Sequence, residues 1–531
     1  MPSSIQPIQL GVFAVIFVGV ALVGVFALHW RKAESLNNLD EWGLGGRNFG
    51  GIITWFLLGG DLYTAYTFIA VPALVYGVGQ LGFFTVPYTI VLYPFAFVVM
   101  PRLWSAAHRH GYVTPADFVR GRYGSNLLAL VIAVTGIISV IPYVALQLYG
   151  IRVVFTAMGL ASTSFGTALP LGLAFAILAI YTFNSGLRAP ALTAFLKDGL
   201  IYAVVIVAVI YIPLRIGGYA PVFNAASRAM ASKPASAKAA FITPPAAYSP
   251  YATLAFGSAL ALFMYPHNVT GVLAAKTRNT VRRNMAALPA YTLLLGFIAL
   301  LGYMAYAVGI HVSNNNLALP RLFQVMFPDW FVGIAFAAIG IGALVPAAIM
   351  AIAAANLFSR NIWLAYVNRD SSARVQTWLA KIVSVCIAAL ALVFILSIKT
   401  TFILNFQLLG GVWILQTFPA IVFGLYTRWF HRWSLVLAWA AGIGTGTAMA
   451  ASNAFASSVY AVHLGPLQFS AYAGLIALAV NILVLLVLDP LVKLAHLPAG
   501  VDETRADDYE ADRSPAESAA PRPAAAGPEA A

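Results

Sequence analysis

Long runs of apolar residues alternate with short polar connections along most of the chain. A helix that crosses a bilayer needs about 17 to 25 predominantly apolar residues, and runs of this length predict thirteen membrane spans. These spans are expected at residues 8–28, 51–78, 81–103, 126–149, 167–184, 193–214, 252–275, 287–310, 331–357, 377–398, 402–426, 433–452 and 469–489. The pattern therefore predicts an all-α polytopic membrane protein with about 13 transmembrane helices.

The composition is typical of a chain that lies mostly within lipid. Hydrophobic residues make up 61% of the 531 residues and charged residues only 9%, whereas a soluble domain carries about 25% charged residues. The net charge of +13 does not indicate a nucleic-acid partner, because eight of the 17 acidic residues lie after Val501 and the basic residues are spread over short connections. Cys386 is the single cysteine, so an intrachain disulfide is excluded, and it lies in an apolar span.

The basic residues predict which side of the membrane each connection faces. Connections expected in the cytoplasm hold 22 of the 30 Lys and Arg residues, and connections expected outside hold seven. Cytoplasmic connections are enriched in Lys and Arg, so we expect a plasma-membrane protein with its N-terminus outside and its C-terminus in the cytoplasm. The first span ends in His29-Trp30-Arg31-Lys32 without a small-residue cleavage pattern, which indicates an uncleaved span rather than a signal peptide.

The second span carries a charge at mid-depth. Gly59-Gly60 precede Asp61 within the apolar run from Phe49 to Gly79, and an ionised carboxylate at the centre of a span costs roughly 2.5–3.5 kcal/mol on insertion scales. Glycines weaken a helix, and a broken helix presents free backbone groups to a hydrated cavity. We interpret this stretch as a half-unwound helix at a binding site. The alternative is a structural Asp61 that bonds to a neighbouring helix.

A second interrupted span follows five spans later. Span 7 carries Gly257 and Tyr265-Pro266-His267-Asn268, and paired interruptions in the two halves of a chain indicate an inverted repeat, although Pro and Gly are also common in single membrane helices. Spans 2–6 and 7–11 are therefore expected to form a 5+5 inverted repeat, with spans 1, 12 and 13 as accessories. The predicted division is 1–50 (first span and cytoplasmic lead), 51–216 (first five-helix repeat), 217–250 (external loop), 251–426 (second five-helix repeat), 427–497 (accessory spans) and 498–531 (disordered acidic tail).

Two connections between spans have a pattern of their own. The segment 111–123 predicts a short interfacial helix that is capped at Thr114 and has Pro115 in its first turn, although an ordinary basic connector fits the spacing equally well. The outer loop, rich in Ala, Pro and Ser, is expected to be partly ordered over the external face.

Short motifs occur in a fixed order from about residue 40 to residue 450. They are Gly43–Phe49 before the interrupted span, Tyr112–Phe118 with Arg122-Tyr123, Pro142-Tyr143 before Gln147 and Gly150, Tyr181-Thr182 before Gly186-Leu187-Arg188, Pro266-His267, and Phe418-Pro419 before Gly424-Leu425-Tyr426. With these motifs the chain resembles the sodium:solute symporters, which have the LeuT-like inverted-repeat fold. The segments 61–66 and 342–348 are most similar to the branch of monocarboxylate permeases.

The resemblance implies a secondary active transporter, a cation-coupled symporter that imports a small organic acid such as pyruvate, lactate or acetate by alternating access. It implies no organic cofactor, no bound metal and no obligate protein partner. Two alternatives stay open: a sodium-coupled symporter of another small solute, such as an amino acid or vitamin, and a non-transporting membrane sensor. A sensor would carry a signalling domain after the last span, where this tail is short and polar. An enzyme is not expected, since HExxH, GxSxG and Walker motifs are lacking.

The resemblance also places a candidate ion site. In the sodium-coupled members a cation lies between the break in span 2 and span 9, where adjacent Ser or Thr hydroxyls supply ligands. Here span 9 has no Ser or Thr from residue 331 to 358, and the hydroxyl pair falls on Val345-Pro346. Because Pro346 has no N–H, it leaves the Gly342 carbonyl free. The candidate ion site therefore comprises Gly60, Asp61, Gly342 and Pro346.

The coupling ion stays open at this stage. A hard cation prefers oxygen ligands, and Val345 offers no side-chain oxygen. Asp61 can instead bind and release a proton, because burial favours the neutral form of a carboxylate. Proton coupling through Asp61, sodium coupling with Asp61 as a ligand, and uncoupled uniport are all compatible with the residues. The other buried acid, Asp198, is expected to pair with Lys197 near the cytoplasmic end of span 6.

The substrate is expected between spans 2 and 7. The candidate residues are Tyr63, Thr64, Thr67 and His267, with Gln147 of span 4 alongside. Backbone N–H groups at the start of a half-helix, together with hydroxyls, can hold a carboxylate without an Arg partner, which matters because no Arg lies at mid-span. For His267 the alternative role is structural, as a tie between the broken helix and its neighbours.

Overall fold

The computed structural model describes residues 5–27, 37–162, 166, 168–234, 238–397 and 406–510. Within these residues, eleven helices are long and apolar enough to cross a membrane. The expected spans 51–78 and 252–275 are each built from two shorter helices with a break between them. The all-α membrane fold is confirmed, and the count of thirteen crossings stays a prediction.

The first half of the chain forms nine α-helices within the described residues. They are α1 (Pro7–Phe26), α2 (Leu39–Leu44), α3 (Gly51–Gly60), α4 (Val71–Val78), α5 (Thr85–His110), α6 (Pro115–Tyr123), α7 (Asn126–Ala157), α8 (Ala168–Ser185) and α9 (Arg188–Ile216). A π-helical turn, Tyr66–Ala70, leads into α4. The second span is thus α3, a non-helical stretch, and the π-turn with α4.

The second half follows the same plan. Its helices are α10 (Tyr219–Ala231), α11 (Tyr248–Leu262), α12 (Pro266–Leu273), α13 (Arg278–Ala287), α14 (Ala290–Ala307), α15 (Ala318–Met326), α16 (Asp329–Leu357), α17 (Ala373–Ser397), α18 (Phe406–Ile414), α19 (Gly424–Tyr426), α20 (Arg432–Ser452) and α21 (Ala473–Leu494). The break in the seventh span lies between α11 and α12. Residues 402–405 of the expected eleventh span lie outside the described part.

Helix α16 lies at the centre of the fold. It is buried over nearly its whole length and packs against α1, α7 and α9. Its sequence is rich in Gly and Ala, small residues that let membrane helices approach closely. A Cβ at Gly340, for example, would lie 3.0 Å from the Phe13 ring. The helix continues past Leu357 as a π-helical turn, Phe358–Val367.

Helix α6 begins where the sequence predicted. Thr114 Oγ1 accepts a hydrogen bond from Asp117 N at 3.0 Å, and Pro115 occupies the first turn. The Asp117 carboxylate accepts a hydrogen bond from Asn361 Nδ2 at 2.9 Å and lies 3.4 Å from Arg360 Nε. The cap therefore also ties α6 to the π-helical turn that follows α16.

The loop between α9 and α11 is partly ordered, as expected. It contains α10, and Lys233 after this helix donates hydrogen bonds to Tyr76 O at 2.8 Å and Gly77 O at 2.6 Å. A cation is favourable at a helix C-terminus, and these carbonyls belong to the last turn of α4. The loop is thereby fastened to the second half of the broken span.

A β-hairpin precedes the last helix, where the sequence analysis expected the start of a span at residue 469. Strands β1 (Val459–Leu464) and β2 (Leu467–Tyr472) pair antiparallel, with Val459 opposite Tyr472. Gly465, with φ +59°, makes the tight turn between them. The apolar residues of 469–472 therefore belong to a strand rather than to the expected helix.

The expectation of a disordered tail from residue 498 is wrong for residues 500–510. Asp502 lies 3.0 Å from Arg122 Nη1, and Asp508 lies 2.8 Å from His110 Nε2 and 3.3 Å from Arg109 Nε. Glu503 N donates a hydrogen bond to Gly121 O at 2.8 Å. We call residues 500–510 the tail strap. Residues 511–531 lie outside the described part of the chain.

Candidate substrate and ion site

The break in the second span lies between Gly60 and Tyr66. Helix α3 ends at Gly60, Asp61 still has helical backbone angles, and Leu62 N donates a hydrogen bond back to Gly59 O at 2.9 Å. The chain then turns through residues 61–65 before the π-turn begins at Tyr66. The break predicted from the glycine pair and the carboxylate is confirmed.

The glycine pair is required by close packing at the break. A Cβ at Gly59 would overlap the ring of Tyr291 in α14, and a Cβ at Gly60 would lie 3.1 Å from Lys197 Nζ of α9. Both glycines lie inside α3 with helical geometry. Conformational freedom, the reason suggested by the sequence, is therefore less important here than the space that a missing side chain leaves for two neighbouring helices.

Asp61 and His267 meet where the two broken helices approach each other. Asp61 Oδ2 lies 3.1 Å from His267 Nε2, and the side chains are 4% and 0% exposed. His267 is the second residue of α12, and its ring packs against Tyr143 and Tyr265 at centroid distances of 5.5 and 5.3 Å. Asp61 thus contacts a neighbouring helix, as the interpretation of a structural Asp61 requires. The residue that it contacts, His267, is also one of the candidate substrate residues.

The other candidate substrate residues are buried at the same break. Gln147 Oε1 accepts a hydrogen bond from Ala65 N at 2.9 Å, which joins α7 to the turn. Thr64 Oγ1 accepts from Tyr66 N at 3.0 Å, and Thr67 Oγ1 donates to Leu62 O. Tyr63 behaves differently, since its hydroxyl points to α14 and donates to Tyr291 O at 2.7 Å.

Several polar atoms at the break lack a hydrogen-bond partner among the described residues. They are Gln147 Nε2, both carboxylate oxygens of Asp61 and His267 Nδ1, although Asp61 Oδ2 has the 3.1 Å ion-pair contact with His267 Nε2. Buried polar atoms are nearly always hydrogen-bonded, so each exception calls for an explanation. An amide donor and an imidazole nitrogen that both face a break are suited to a ligand that carries hydrogen-bond acceptors.

A small apolar cavity lies beside the two broken spans. Its volume is about 30 Å³, and it lies between α3, α5 and α12. Leu58, Leu62, Tyr93, Phe263 and Asn268 are among its lining residues. Leu62 and Asn268 are the chain neighbours of Asp61 and His267, which do not themselves line the cavity. A short hydrocarbon group fits such a space.

Helix α16 passes the break at Gly342. A Cβ at this position would lie 3.6 Å from Tyr63 O, so the register that paired span 9 with the break agrees with the structure. Pro346 is buried about one turn further along α16, where it leaves the Gly342 carbonyl without a helical N–H partner. The structure therefore brings Gly342 against the non-helical stretch that follows Gly60.

Lys197 contacts more of the break than its neighbours in the sequence indicated. Its Nζ donates hydrogen bonds to Gly60 O and to Tyr63 O, the latter at 3.1 Å, and lies 2.8 Å from Asp198 Oδ1. The side chains of Lys197 and Asp198 are both 0% exposed. The ion pair is confirmed as a contact, and it lies against the break.

Asp198 has a second partner. Its Oδ2 accepts a hydrogen bond from the hydroxyl of Tyr291 at 2.8 Å, and this is the ring that covers Gly59. One available signal in the sequence was the adjacent Lys-Asp pair within an apolar span. This pairing alone does not reveal which carbonyl groups accept hydrogen bonds from the ammonium, because the Gly60 carbonyl lies 137 positions earlier in the chain.

Two broken membrane helices that meet at a buried carboxylate define the architecture of a secondary transporter. The model of the sodium:solute symporter family matches residues 42–433, and the chain belongs to that family. It is a multi-pass membrane transporter of the cation-coupled symporter class, and not an enzyme.

Related proteins named as transporters support this class. The chain is 52% identical to a monocarboxylate transport permease protein of Rhizobium johnstonii, over 93% of this chain and 98% of that protein. It is 32% identical to an uncharacterized symporter, YodF, of Bacillus subtilis, over 90% and 92% of the two chains. These relatives extend over nearly the whole molecule.

A solved structure shares the fold. A Na+-coupled sialic acid symporter in a substrate-bound outward-open state superimposes with a TM-score of 0.73, over 93% of this chain and 98% of that chain. The sequence identity is 16%, so the likeness concerns the fold alone. It confirms the LeuT-like architecture that the resemblance to the sodium:solute symporters implied.

Proposed function

We propose that this symporter imports a small organic acid, a monocarboxylate such as pyruvate, lactate or acetate, across the plasma membrane. The observation that carries the proposal is the combination of unpaired polar atoms with a small apolar cavity. Gln147 Nε2 and the His267 ring offer hydrogen bonds for a carboxylate, and the cavity of about 30 Å³ beside the broken spans suits a short hydrocarbon group. The similarity to the monocarboxylate transport permease protein of Rhizobium johnstonii supports the same substrate class.

In this proposal the carboxylate binds between the second and seventh spans. Gln147 holds the turn through its Oε1 atom and donates from its Nε2 atom to the acid. Thr64 and Thr67 now bond to the turn itself, and their hydroxyls become available to substrate when the turn opens. Tyr63 has a positioning role, because its hydroxyl is held by α14.

Asp61 is proposed to carry the coupling ion, which is a proton. The carboxylate lies 3.1 Å from His267 Nε2, so a change in its protonation alters the charge beside the substrate donors. Sodium coupling with Asp61 as a ligand is the second candidate, favoured by the family and by the Na+-coupled neighbour in fold.

Uptake by purified protein in proteoliposomes tests these proposals. Radiolabelled pyruvate, lactate, acetate and proline would each be offered with a proton gradient, a sodium gradient or neither. We expect accumulation of at least one monocarboxylate, driven by the proton gradient in sodium-free buffer. Accumulation of proline alone would contradict the substrate class, and accumulation that follows only the sodium gradient would assign the coupling to sodium.

A further inference from the structure

The ammonium of Lys197 occupies a position where three oxygen atoms converge. These are the carbonyl oxygens of Gly60 and Tyr63 and Oδ1 of Asp198. An ammonium has three donors and no acceptor; here it donates hydrogen bonds to the two carbonyl oxygens, and its charge is paired with Asp198 Oδ1 at 2.8 Å. Burial of a charge is costly unless it is paired and hydrogen-bonded, and here each requirement is met although the side chain is 0% exposed.

The same oxygens have the character of a cation site. Gly60 is the last residue of α3, and the carbonyl groups at the C-terminal end of a helix carry partial negative charge. Unwound carbonyls and half-helix C-termini are the groups that coordinate ions in transporters with broken helices. Asp198 adds a full negative charge. Lys197 therefore places a covalently attached cation where a free cation would otherwise bind.

The residues around this position do not fit a metal cation as they stand. Helix α16 passes at Gly342, which has no side chain to offer, and the helix has no Ser or Thr. A hard divalent cation takes about six or more oxygen ligands, whereas three converge here and Lys197 already uses them. The ring of Tyr291 closes one side, with its hydroxyl on Asp198 Oδ2.

We propose that Lys197 is a built-in cation that holds the broken helix closed around its carbonyl groups and excludes sodium from this position. If no metal ion binds at the Gly60 carbonyl, the coupling of transport to an ion gradient depends on another group. The inference deepens the proposed function, because it concerns the ion of the same transport cycle. It makes a separate statement, since sodium binding is measured on purified protein without any transported acid.

The experiment compares sodium binding in wild-type protein and in Lys197→Ala. Removal of the side chain leaves a space bounded by two carbonyl oxygens and the Asp198 carboxylate, with room for water molecules as further ligands. We expect wild-type protein to show no Asp198-dependent binding of radioactive ²²Na⁺. We expect Lys197→Ala to gain such binding and to gain thermal stability in NaCl relative to choline chloride, because a ligand that binds the native state stabilises it.

The double variant Lys197→Ala/Asp198→Asn is the matched control. It has the same space without the carboxylate, so its sodium affinity should be at least about tenfold weaker than that of Lys197→Ala. Sodium bound elsewhere would appear equally in wild type and in all variants, and is subtracted. Lys197→Gln, whose uncharged side chain is one atom shorter, replaces Lys197→Ala if the latter does not fold.

Two results would overturn the inference. One is sodium binding by wild-type protein that disappears in Asp198→Asn, because the site would then accept sodium with Lys197 present. The other is a folded Lys197→Ala or Lys197→Gln protein that binds no more sodium than wild type. The inference and the proposed function can fail separately, since the latter fails when no monocarboxylate accumulates under either gradient.

Discussion

The carboxylate of Asp61 and the imidazole of His267 lie 3.1 Å apart, although 205 positions of sequence separate them. One residue follows the last turn of α3 and the other begins α12. The contact therefore connects the end of one half-helix to the start of another. Movement of either half-helix during transport changes the distance between the two groups.

Asp61→Asn is expected to abolish accumulation while preserving exchange. The amide keeps the shape of the carboxylate but cannot take up a proton at physiological pH, so uphill uptake driven by a pH gradient should fall to the equilibrium level. Exchange of internal for external substrate needs no net movement of ions and should continue. Full accumulation by folded Asp61→Asn protein would exclude Asp61 as the proton carrier, and loss of both modes with normal folding would indicate a structural role.

Gln147→Glu should weaken substrate binding. The glutamate can still accept the hydrogen bond from Ala65 N, but it loses the Nε2 donor and adds a negative charge beside an anionic substrate. A hydrogen bond to a charged group contributes about 1.5–3 kcal/mol, so we expect KM to rise at least about tenfold. Thr156→Ala is the matched control on α7, because its hydroxyl bonds only to Arg152 O at 2.9 Å. An unchanged KM in Gln147→Glu would remove Gln147 from the substrate site.

Gly59→Ala should destabilise the fold, because its Cβ would overlap the Tyr291 ring. Overpacking of a tight interior typically costs about 1–3 kcal/mol. The measurement is thermal unfolding in detergent, followed through loss of the monodisperse protein. Gly199→Ala is the control, since no neighbouring atom lies within 4 Å of the Cβ it would add in α9, and the substitution favours a helix. Equal melting temperatures in the two variants would contradict the predicted close packing.

The tail strap should stay attached over the physiological pH range. Burial acts to raise the pKa of Asp508, but hydrogen bonds from the Arg505 N–H and from His110, with the charge of Arg109, outweigh it and hold the pKa below its ordinary value. A carboxylate with a lowered pKa in the folded state stabilises that state above its unfolded pKa of about 3.9, and the contribution is lost as the pH falls through the folded value. Attachment should therefore be constant from pH 7 to about 5 and weaken only at more acidic pH.

Asp508→Asn should release the strap at neutral pH. The expected result is faster tryptic cleavage after Arg505, measured by mass spectrometry on purified protein. Asp507→Asn is the control, because Asp507 is an exposed neighbour and makes no ion pair among those found in the described residues. Equal cleavage rates in the two variants would show that the Asp508 contacts do not hold the strap.

The predicted orientation can be tested by cysteine labelling in a Cys386→Ser background. Ser232 at the end of α10 and Ser372 before α17 are both exposed, and the distribution of basic residues places them on opposite sides of the membrane. An impermeant thiol reagent should label Ser232→Cys in intact cells and leave Ser372→Cys unlabelled until the membrane is opened. The reverse pattern would invert the orientation.

The sequence was sufficient to predict the helices and the position of the break. Apolar runs of the required length are a strong signal, and a carboxylate inside one of them is rare enough to single out Asp61. Asp61 and His267 were each identified, and their spans were expected to lie on either side of the substrate, but a direct contact between the two side chains was not predicted. The structure shows that the two interruptions meet.

The features that were missed depend on distant partners. Lys197 was interpreted as one half of a local ion pair, because its neighbour Asp198 explains its charge without reference to the carbonyl of Gly60. The strap was interpreted as disordered, because its polar composition is typical of disorder. Its carboxylates bind basic residues from separate connections, including Arg122 and Arg428, and such pairings are not visible in a local window of sequence.

The tail strap shows that the folded part of the chain continues beyond the last membrane helix. The last membrane helix ends at Leu494 and the family match at residue 433, so either boundary suggests that the chain can be shortened after the helices. A chain cut there would leave Arg122, Arg109 and Arg428 clustered without the carboxylates that neutralise them. A shortened chain for expression or crystallisation that is to keep these ion pairs must therefore retain the residues through Glu510, which lies 3.6 Å from Arg102 Nη1.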